Sequence, residues 1–293
     1  MNQVNALIIR KTIHLIIGLL IFTLTFFLPR EILLWLIMAG TIFSFGTFHY
    51  KKFNLLHHSN ESSLGTLFYP LGILSSYLIL YEMPLLYFQA SLLVLAVSDT
   101  MANLIGHIKR GNGNFVVWHD QKSLHGITGY VFSALIIFYV LLPTKMTTDV
   151  PFMATLILLS VVFEAVSWRG SDNFTIPVGL AILWRVFQYQ QPDYLFLLGT
   201  LLFMMVAAFF LFKWHFLTRL GSLAAWALGV YLLGVMGWKW FVPVVLFFIT
   251  SVVFTKLRAG FTKKKKESNG RNAWQVSANI LWAVISSTLF LMT

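Results

Sequence analysis

The stretch YLFLLGTLLFMMVAAFFLF, residues 194–212, contains no charged side chain and is as long as a membrane-crossing helix. About 20 mostly apolar residues are needed to span the hydrocarbon core of a bilayer. Similar apolar runs recur along the chain and end at Pro, Gly and charged clusters, which mark breaks. The sequence therefore predicts an all-α, polytopic transmembrane helical bundle. About eleven spans are predicted, at residues 12–28, 31–49, 63–82, 85–107, 125–143, 151–168, 173–189, 193–212, 219–237, 239–256 and 274–292.

The composition excludes a soluble globule. The 293 residues are 58% hydrophobic and only 11% charged, whereas a soluble domain has about 25% charged residues. The chain contains no cysteine, which excludes disulfides, thiolate metal sites and cysteine nucleophiles. The first apolar run follows Arg10 and Lys11 and has no small-residue cleavage site after it, so we expect a retained helix and not a signal peptide.

The distribution of basic residues predicts the orientation. Lysines and arginines in short loops stay on the cytoplasmic side of a membrane. With the N-terminus inside and the C-terminus outside, all of the 21 basic residues except Arg30, Lys145, Arg185 and Lys239 fall on the inner side. The run at residues 263–266 is expected to anchor this topology against anionic lipid head groups. We expect a multi-pass protein of the cell (inner) membrane with no nucleic-acid partner.

The inner loops change character near residue 190. Before that point they combine acids, histidines and glycines, and after it they are almost purely basic. No repeat with a period of 20 to 50 residues accompanies this change. Two membrane domains are therefore predicted, residues 1–190 and 191–293.

Three polar clusters on the predicted inner face are hard to explain by topology. In RKTIHLIIG, residues 10–18, His14 lies one helical turn from Arg10 and on the same face. In the segment from residue 98 to 126, Asp99 lies about two turns inside an apolar helix, with Asn103 on the same face. An intramembrane acid is a functional candidate by default, because an uncompensated charge there is costly.

The same segment continues through Gly106, Gly111 and Gly113 to Lys122, Ser123 and Gly126, which open the next helix. A glycine-containing turn with a lysine and backbone amides at a helix start suits a phosphate group.

The third cluster is EAVSWRGSDNFTIP, residues 164–177, in which Glu164 ends one helix and Asp172 and Asn173 precede the next. Either Asp172 or Asn173 is also suited to cap that helix. Together the clusters supply carboxylates and cations on one face. Oxygen ligands for a hard cation, with positive charge for phosphates, are the requirements of Mg²⁺-nucleotide chemistry.

These motifs, in this order, resemble the CTP-dependent lipid alcohol kinases, which include phytol kinase, dolichol kinase and yeast-type diacylglycerol kinase. The resemblance covers residues 8–190 and implies transfer of the γ-phosphate of CTP to a long-chain phytol, prenol or polyprenol at the cytoplasmic face. It implies Mg²⁺ as cofactor and a nucleotide and a membrane lipid alcohol as partners. Two positions depart from the family pattern: Asn103, where phytol kinases usually have a second acid, and His125, where Glu or Ala is common.

The resemblance and the clustered charges together assign expected roles. The catalytic residues expected are Asp99, Lys122 and His14; the nucleotide-binding residues are Arg10, Lys11, Asn103, Ser123 and Gly126; the metal ligands are Asp99, Glu164 and Asp172; and Asn173 completes the site.

The remainder of the chain resembles a different group. TRLGSLAAWALGV (218–230), SVVFTKLRAG (251–260) and GRNAWQVSAN (270–279) are similar to the N-terminal half of the phytyl-phosphate kinase-like integral membrane family DUF92. In that family further helices and acidic motifs follow. The resemblance therefore implies a partial second domain, which is either a split half that a partner subunit would complete, a degenerate remnant, or a docking module for a separate partner.

Three alternatives remain open. A CTP-dependent cytidylyltransferase making a CDP-lipid has a similar layout, but its usual pair of acids flanking an arginine is missing from HGITGYVFSAL, residues 125–135. A lipid transporter or flippase would carry its binding groups near the bilayer midplane on broken helices. The departures at Asn103 and His125 are also consistent with an inactive scaffold.

Overall fold

The computed structural model describes residues 3–48, 64–108, 114–117, 120–165, 167, 170–190, 193–261 and 271–292. The chain forms two compact units, Met1–Arg185 and Val186–Thr293. The border lies inside a helix, near the change in loop composition at residue 190.

The first unit is built from helices and one small hairpin. A π-helical turn, Val94–Ser98, joins α4 to α5 without a break. The hairpin is antiparallel and pairs Phe115 with Lys122. The elements are α1 Gln3–Leu24, α2 Arg30–Phe48, α3 Gly65–Ile79, α4 Leu85–Leu93, α5 Asp99–Ile108, β1 Asn114–Val117, β2 Asp120–Ser123, α6 Leu124–Leu141, α7 Thr144–Thr147, α8 Val150–Ala165 and α9 Asp172–Gln190, of which the last residues pass into the second unit.

The second unit contains α10 Tyr194–Lys213, α11 Arg219–Gly229, α12 Trp238–Phe261 and α13 Ala273–Met292. A second π-helical turn, Val230–Val235, continues α11. The start of α10 is capped, because the side chain of Asp193 accepts hydrogen bonds from the amides of Leu195 and Phe196.

A helix lies at each of the eleven predicted apolar segments, so the all-α class is confirmed. Within the part of the chain that the structure describes, four helical stretches are long and apolar enough to cross a membrane, by length and composition: Arg30–Thr47, Leu85–His107, Leu124–Leu141 and Leu195–Lys213. Eleven spans and the N-in, C-out orientation stay predictions. The hairpin, α7 and both π-helical turns were not predicted. Gly111, Gly113 and the basic run at 263–266 lie outside the described residues.

The core of the first unit centres on the indole of Trp184 in α9. This side chain is 2% exposed and contacts the rings of Tyr87, Phe138 and Phe152, at centroid distances of 5.0, 6.0 and 6.1 Å. Its ring nitrogen donates a hydrogen bond to Ser91 Oγ at 3.1 Å. Helices α4, α6, α8 and α9 are therefore tied together by one buried aromatic group whose polar atom is satisfied.

Glycines bring α5 and α6 unusually close. A Cβ at Gly126 would lie 2.7 Å from the carbonyl oxygen of Ala102, and one at Gly129 would lie 2.6 Å from the side chain of Ile105. Gly106, expected in a loop, lies inside α5, where a Cβ would be 2.9 Å from Ser123 Oγ. Small residues allow this close approach of helix backbones in membrane proteins, and here it fixes the start of α6 against α5.

Two of the basic residues expected near the outer side cap a helix. Arg30 donates a hydrogen bond to the carbonyl of Tyr81 at 2.6 Å, and Arg185 donates one to the carbonyl of Ile79 at 3.3 Å. Both carbonyls lie at or just beyond the C-terminus of α3, where cations are favoured by unpaired carbonyls and the helix dipole. These two arginines therefore have a structural role, which explains why they lie on the predicted outer side although most basic residues are predicted on the inner side.

Candidate functional site

The best-defined polar feature of the first unit is a buried ion pair between α1 and α5. The ammonium group of Lys11 donates a hydrogen bond to Asp99 Oδ2, and both side chains are less than 5% exposed. The amide of Asn103 donates to Asp99 Oδ1 at 2.9 Å and to the Asp99 carbonyl at 2.8 Å. Both carboxylate oxygens therefore have partners, which compensates the cost of burying the charge.

A local backbone irregularity places Asp99. The π-helical turn ends immediately before it, and the Asp99 amide bonds the carbonyl of Val94, five residues back. Such π segments inside α-helices are rare and are frequent at functional sites. The extra residue rotates the helix, so the direction of Asp99 could not be read from an ideal helical period.

A second buried pair joins the hairpin to the end of α8. Lys122 Nζ donates to Glu164 Oε1 at 2.5 Å, to the Glu164 carbonyl at 3.1 Å and to Ser167 Oγ at 3.3 Å. The side chains of Lys122 and Glu164 are 15% and 5% exposed. All three donor positions of the ammonium group thus point at oxygens, so the hairpin presents Lys122 in one defined place.

Asp172 is the third carboxylate, and it has no ion pair within 4 Å in the described part of the chain. Its Oδ1 accepts a hydrogen bond from the amide of the next residue, Asn173, at 2.9 Å, within the first turn of α9. It nevertheless interacts electrostatically with Lys11, Lys122 and Arg10. Asp172 is therefore the site carboxylate that forms no ion pair in the described residues, and one of its oxygens is available for a ligand.

The charges of the site reinforce one another. Burial favours the protonated acid at Asp172, but the ammonium groups of Lys11 and Lys122 outweigh burial and lower the pKa of this carboxyl below its usual range. Burial likewise favours the neutral amine of Lys122, but the carboxylates of Glu164 and Asp172 raise its pKa above the usual value. Both groups are thus held in their charged forms at neutral pH.

His14 is buried beside this cluster and lies inside α1, which begins earlier than predicted. Its ring stacks on Tyr69 of α3, with centroids 4.3 Å apart and planes at 14°. Nδ1 of His14 is buried and makes no hydrogen bond in the described structure. Arg10, also inside α1, acts electrostatically on both His14 and Asp172. The structure thus brings the first motif to the other two.

Ser123 and Gly126 form the N-terminal cap of α6. Ser123 Oγ accepts a hydrogen bond from the Gly126 amide at 3.0 Å, so this amide is used within the protein. Gly126 also provides the close contact with α5. The predicted nucleotide contact of Gly126 is untested, and in this structure its evident role is packing.

Asn173 is 2% exposed and joins α9 to α3, because its amide nitrogen donates to the carbonyl of Gly65 at 3.2 Å. Its Oδ1 is buried and lacks a hydrogen-bond partner in the described residues. A Cβ at Gly72 would collide with the Asn173 carbonyl, which makes this helix contact a tight one.

Sequence reasoning missed several residues that build the site. Ser167 contacts Lys122, and Tyr69 contacts His14. The quoted motif RKTIHLIIG ends in Gly18, whose position against α3 and the π-helical turn was also not foreseen. Tyr69 lies in α3, an apolar helix whose own sequence contains no charged residue, so only its contacts in the folded chain reveal its importance.

The metal prediction remains open. Among the described residues, no three His, Asp or Glu side chains are grouped closely enough to hold a metal ion alone. Mg²⁺ is usually held by one or two carboxylates together with substrate phosphates and waters. Asp172 and Glu164 each keep one oxygen that accepts no hydrogen bond in the described residues, and they fit that pattern best. Both oxygens of Asp99 already accept hydrogen bonds, from Lys11 and from Asn103.

The second unit has its own polar cluster, where the three quoted motifs of the C-terminal segment meet. Thr218 N donates to the carbonyl of Arg271 at 3.0 Å, and the Thr218 hydroxyl caps α11 by accepting from the Gly221 amide at 3.1 Å. The guanidinium of Arg271 donates to Ser251 Oγ at 2.7 Å and lies over the ring of Phe248. Arg271 therefore ties the starts of α11 and α13 to α12.

The start of α13 is held by a capping box. The Asn272 side chain accepts from the amide of Gln275 at 3.0 Å, and the Gln275 side chain accepts from the amide of Asn272 at 3.1 Å.

Fold and composition define an integral membrane protein with transmembrane helices. The family described as Integral membrane protein DUF92 matches residues 202–293, which confirms the predicted similarity of the C-terminal segment. An uncharacterized protein of Methanocaldococcus jannaschii, MJ1137, is 26% identical over 191 residues, which are 60% of this chain and 91% of that protein. No solved structure matches the chain. The similarity to lipid alcohol kinases stays a prediction.

Proposed function

We propose that the first unit transfers the γ-phosphate of CTP to the hydroxyl of a long-chain lipid alcohol, such as phytol, a prenol or a polyprenol, at the cytoplasmic face of the cell membrane. The observation that carries the proposal is the convergence of two buried lysine–carboxylate pairs with a third carboxylate, Asp172, that has no ion pair in the described residues. Phosphoryl transfer needs mainly positioning and electrostatic stabilisation, and this cluster supplies both.

The proposed reaction is an in-line substitution at phosphorus. The hydroxyl oxygen of the lipid forms a bond with the γ-phosphorus, the bond from that phosphorus to the bridging β–γ oxygen breaks, and CDP leaves. The hydroxyl proton passes to Asp172, whose second oxygen accepts no hydrogen bond in the described structure. The products are a lipid phosphate, CDP and a proton, so atoms and charge balance.

The remaining residues position the reacting groups and neutralise the charge of the phosphates. Lys122, which its neighbours keep protonated, faces the phosphates together with Arg10. The Lys11–Asp99 pair holds α1 against α5 and sets the field felt by Asp172. Glu164, whose Oε2 accepts no hydrogen bond in the described residues, would hold Mg²⁺, and the bound ion would neutralise charge on the phosphates. The choice of CTP and of a lipid alcohol rests on the sequence resemblance.

The test uses the full chain, purified into nanodiscs. The protein is incubated with Mg²⁺ and phytol, geranylgeraniol, a polyprenol or diacylglycerol. One arm contains CTP labelled at the γ-phosphate, and a second contains CTP labelled at the α-phosphate. The proposal expects the γ-label in a lipid phosphate. The α-label in a lipid would instead identify a cytidylyltransferase, and no label in any lipid would reject both enzymatic readings.

Two variants sharpen this test. Asp172→Asn retains a side-chain oxygen for the Asn173 amide, but it removes the proposed proton acceptor and should abolish transfer. Asp149→Asn is the matched control, because Asp149 caps α8 through the amide of Phe152 at 3.0 Å and belongs to no part of the site. Equal activity of the two variants would contradict the role given to Asp172.

A further inference from the structure

Tyr69 of α3 makes two specific contacts with α1, a ring stack and a hydrogen bond to the backbone. It is 3% exposed, and its ring lies flat on that of His14, with centroids 4.3 Å apart. Its hydroxyl donates a hydrogen bond to the backbone carbonyl of His14 at 2.5 Å. A ring contact and a directional hydrogen bond to backbone together restrict how α1 can rotate and slide.

Gly18 makes this approach possible. A Cβ at Gly18 would lie 2.8 Å from the Tyr69 hydroxyl and would collide with the Cβ of Ala96 in the π-helical turn. His14 and Gly18 are one helical turn apart, and Lys11 lies on the same side one turn earlier. The face of α1 that carries Lys11 is therefore the face pressed against Tyr69 and the π-helical turn.

We propose that Tyr69 is a positioning residue that holds α1 in the register at which Lys11 meets Asp99. Lysine has a long side chain with several rotatable bonds, and pairing it with one buried carboxylate requires that its backbone be held in place. The stack with His14 fixes the rotation of α1, and the hydrogen bond to the His14 carbonyl fixes its height along the axis. The consequence for catalysis rests on the proposed function, whereas the effect on the ion pair does not.

A general packing role would give a different pattern. If Tyr69 only filled space in the core, its removal would loosen the whole unit, including the Lys122–Glu164 pair, which Tyr69 is not proposed to position. If it sets the register of α1, its removal would expose Lys11 selectively, because Lys122 is held by the hairpin and α8. The two lysines therefore report separately on local and global change.

The experiment measures acylation of lysines by a water-soluble amine reagent in the detergent-solubilised full chain, quantified for each lysine by peptide mass spectrometry. Tyr69→Phe removes only the hydroxyl, and Tyr69→Leu removes the ring stack as well. The matched control is Tyr77→Phe, because Tyr77 lies in the same helix and its hydroxyl also donates to a backbone carbonyl, that of Arg30, at 2.9 Å.

Loss of one hydrogen bond should raise Lys11 acylation about five-fold in Tyr69→Phe. Loss of the stack as well should raise it about thirty-fold in Tyr69→Leu. Lys122 acylation should stay unchanged in both, and Tyr77→Phe should leave Lys11 protected. In the transfer assay, Tyr69→Phe should lower kcat with little change in KM for CTP, because a misplaced ion pair affects the reacting geometry.

Three results would overturn the proposal: no rise in Lys11 acylation, an equal rise at Lys122, or the same rise in Tyr77→Phe. If the wild-type protein transfers phosphate to no alcohol, the proposed function fails, and the acylation of Lys11 still decides whether Tyr69 positions α1.

Discussion

Replacing one member of the Lys122–Glu164 pair should lower the stability of the protein far more than replacing both members. The two groups are 2.5 Å apart, and their side chains are 15% and 5% exposed, so each depends on the other for compensation of its charge. Removing one partner of a buried pair costs about 3–5 kcal/mol, whereas replacing both by uncharged groups of similar size is often nearly neutral. Lys122→Met and Glu164→Gln should each destabilise the protein, and the double variant should recover most of the loss.

The assay is thermal unfolding in one detergent at fixed protein and salt concentrations. For a domain of about 150–250 residues, 1 kcal/mol corresponds to about 2–4 °C in Tm, so each single variant should lower Tm by about 6–20 °C. The double variant should lie within a few degrees of the wild type and, under the proposed function, should still transfer no phosphate, because Lys122 is missing. Recovery of stability without recovery of transfer would separate the structural role of this lysine from its proposed catalytic role.

The control for these three variants is a change in an ion pair whose acid is exposed. Arg185 and Glu82 are 3.6 Å apart, but the Glu82 side chain is 78% exposed, so Glu82→Gln should change Tm by no more than about 2 °C. The reasoning would be refuted if Glu164→Gln were as mild as Glu82→Gln, or if the double variant lost the sum of the two single losses. Either result would mean that the pair is hydrated and not buried as the structure has it.

Three further predictions follow from individual contacts. Gly126→Ala should lower Tm and transfer, because its Cβ would press on a carbonyl of α5, whereas Gly199→Ala, with open space around it, should be neutral or stabilising by about 1 kcal/mol; thermal unfolding compares them. Because the pKa of Asp172 is lowered in the folded protein, its ionised form stabilises the fold at pH values above the ordinary aspartate pKa of about 3.9, and this stabilisation is lost as the pH falls through the lowered pKa. Asp172→Asn should therefore flatten the acid limb of a Tm-against-pH curve, and an unchanged limb would contradict this. Arg271→Lys should lower the Tm of the full chain more than Ser251→Ala, because a lysine cannot both reach the hydroxyl and cover the aromatic ring as the guanidinium does; the opposite order of Tm values would show that the serine carries the contact.

The existence of the helices could be predicted because hydropathy is a local property. A run such as residues 194–212 has no alternative in a membrane, since every backbone group must be satisfied within the segment. The ends were less predictable. The start of α1 at Gln3, well before residue 12, places Arg10, Lys11 and His14 inside the helix, because a polar residue at a helix end does not stop it. The hairpin that carries Lys122 had no signal beyond a few glycines.

The membership of the site was also visible in the sequence, because acids, lysines and a histidine are rare in apolar segments and therefore conspicuous. Every residue given a role from the sequence lies in the first unit, and Lys11, Asp99, Lys122, Glu164 and Asp172 interact with one another. Their pairing was not visible. Charge and spacing could not show that Lys11 takes Asp99 and Lys122 takes Glu164, because each pair joins residues far apart in the chain.

Only the tertiary structure decided which carboxylates keep an oxygen without a hydrogen bond in the described residues. Asp99 is the most conspicuous acid in the sequence, yet both of its oxygens have partners, while Asp172, which reads as an ordinary helix cap, keeps one oxygen without a hydrogen bond in the described structure. The sequence by itself determined the solvent of this protein, its helices and the composition of its polar cluster, because these depend on local hydrophobicity and charge. The partner of each charged side chain depends on which side chains meet across helices. Those meetings are set by glycine contacts, a π-helical turn and a buried tyrosine, and their effects appear only in the folded chain.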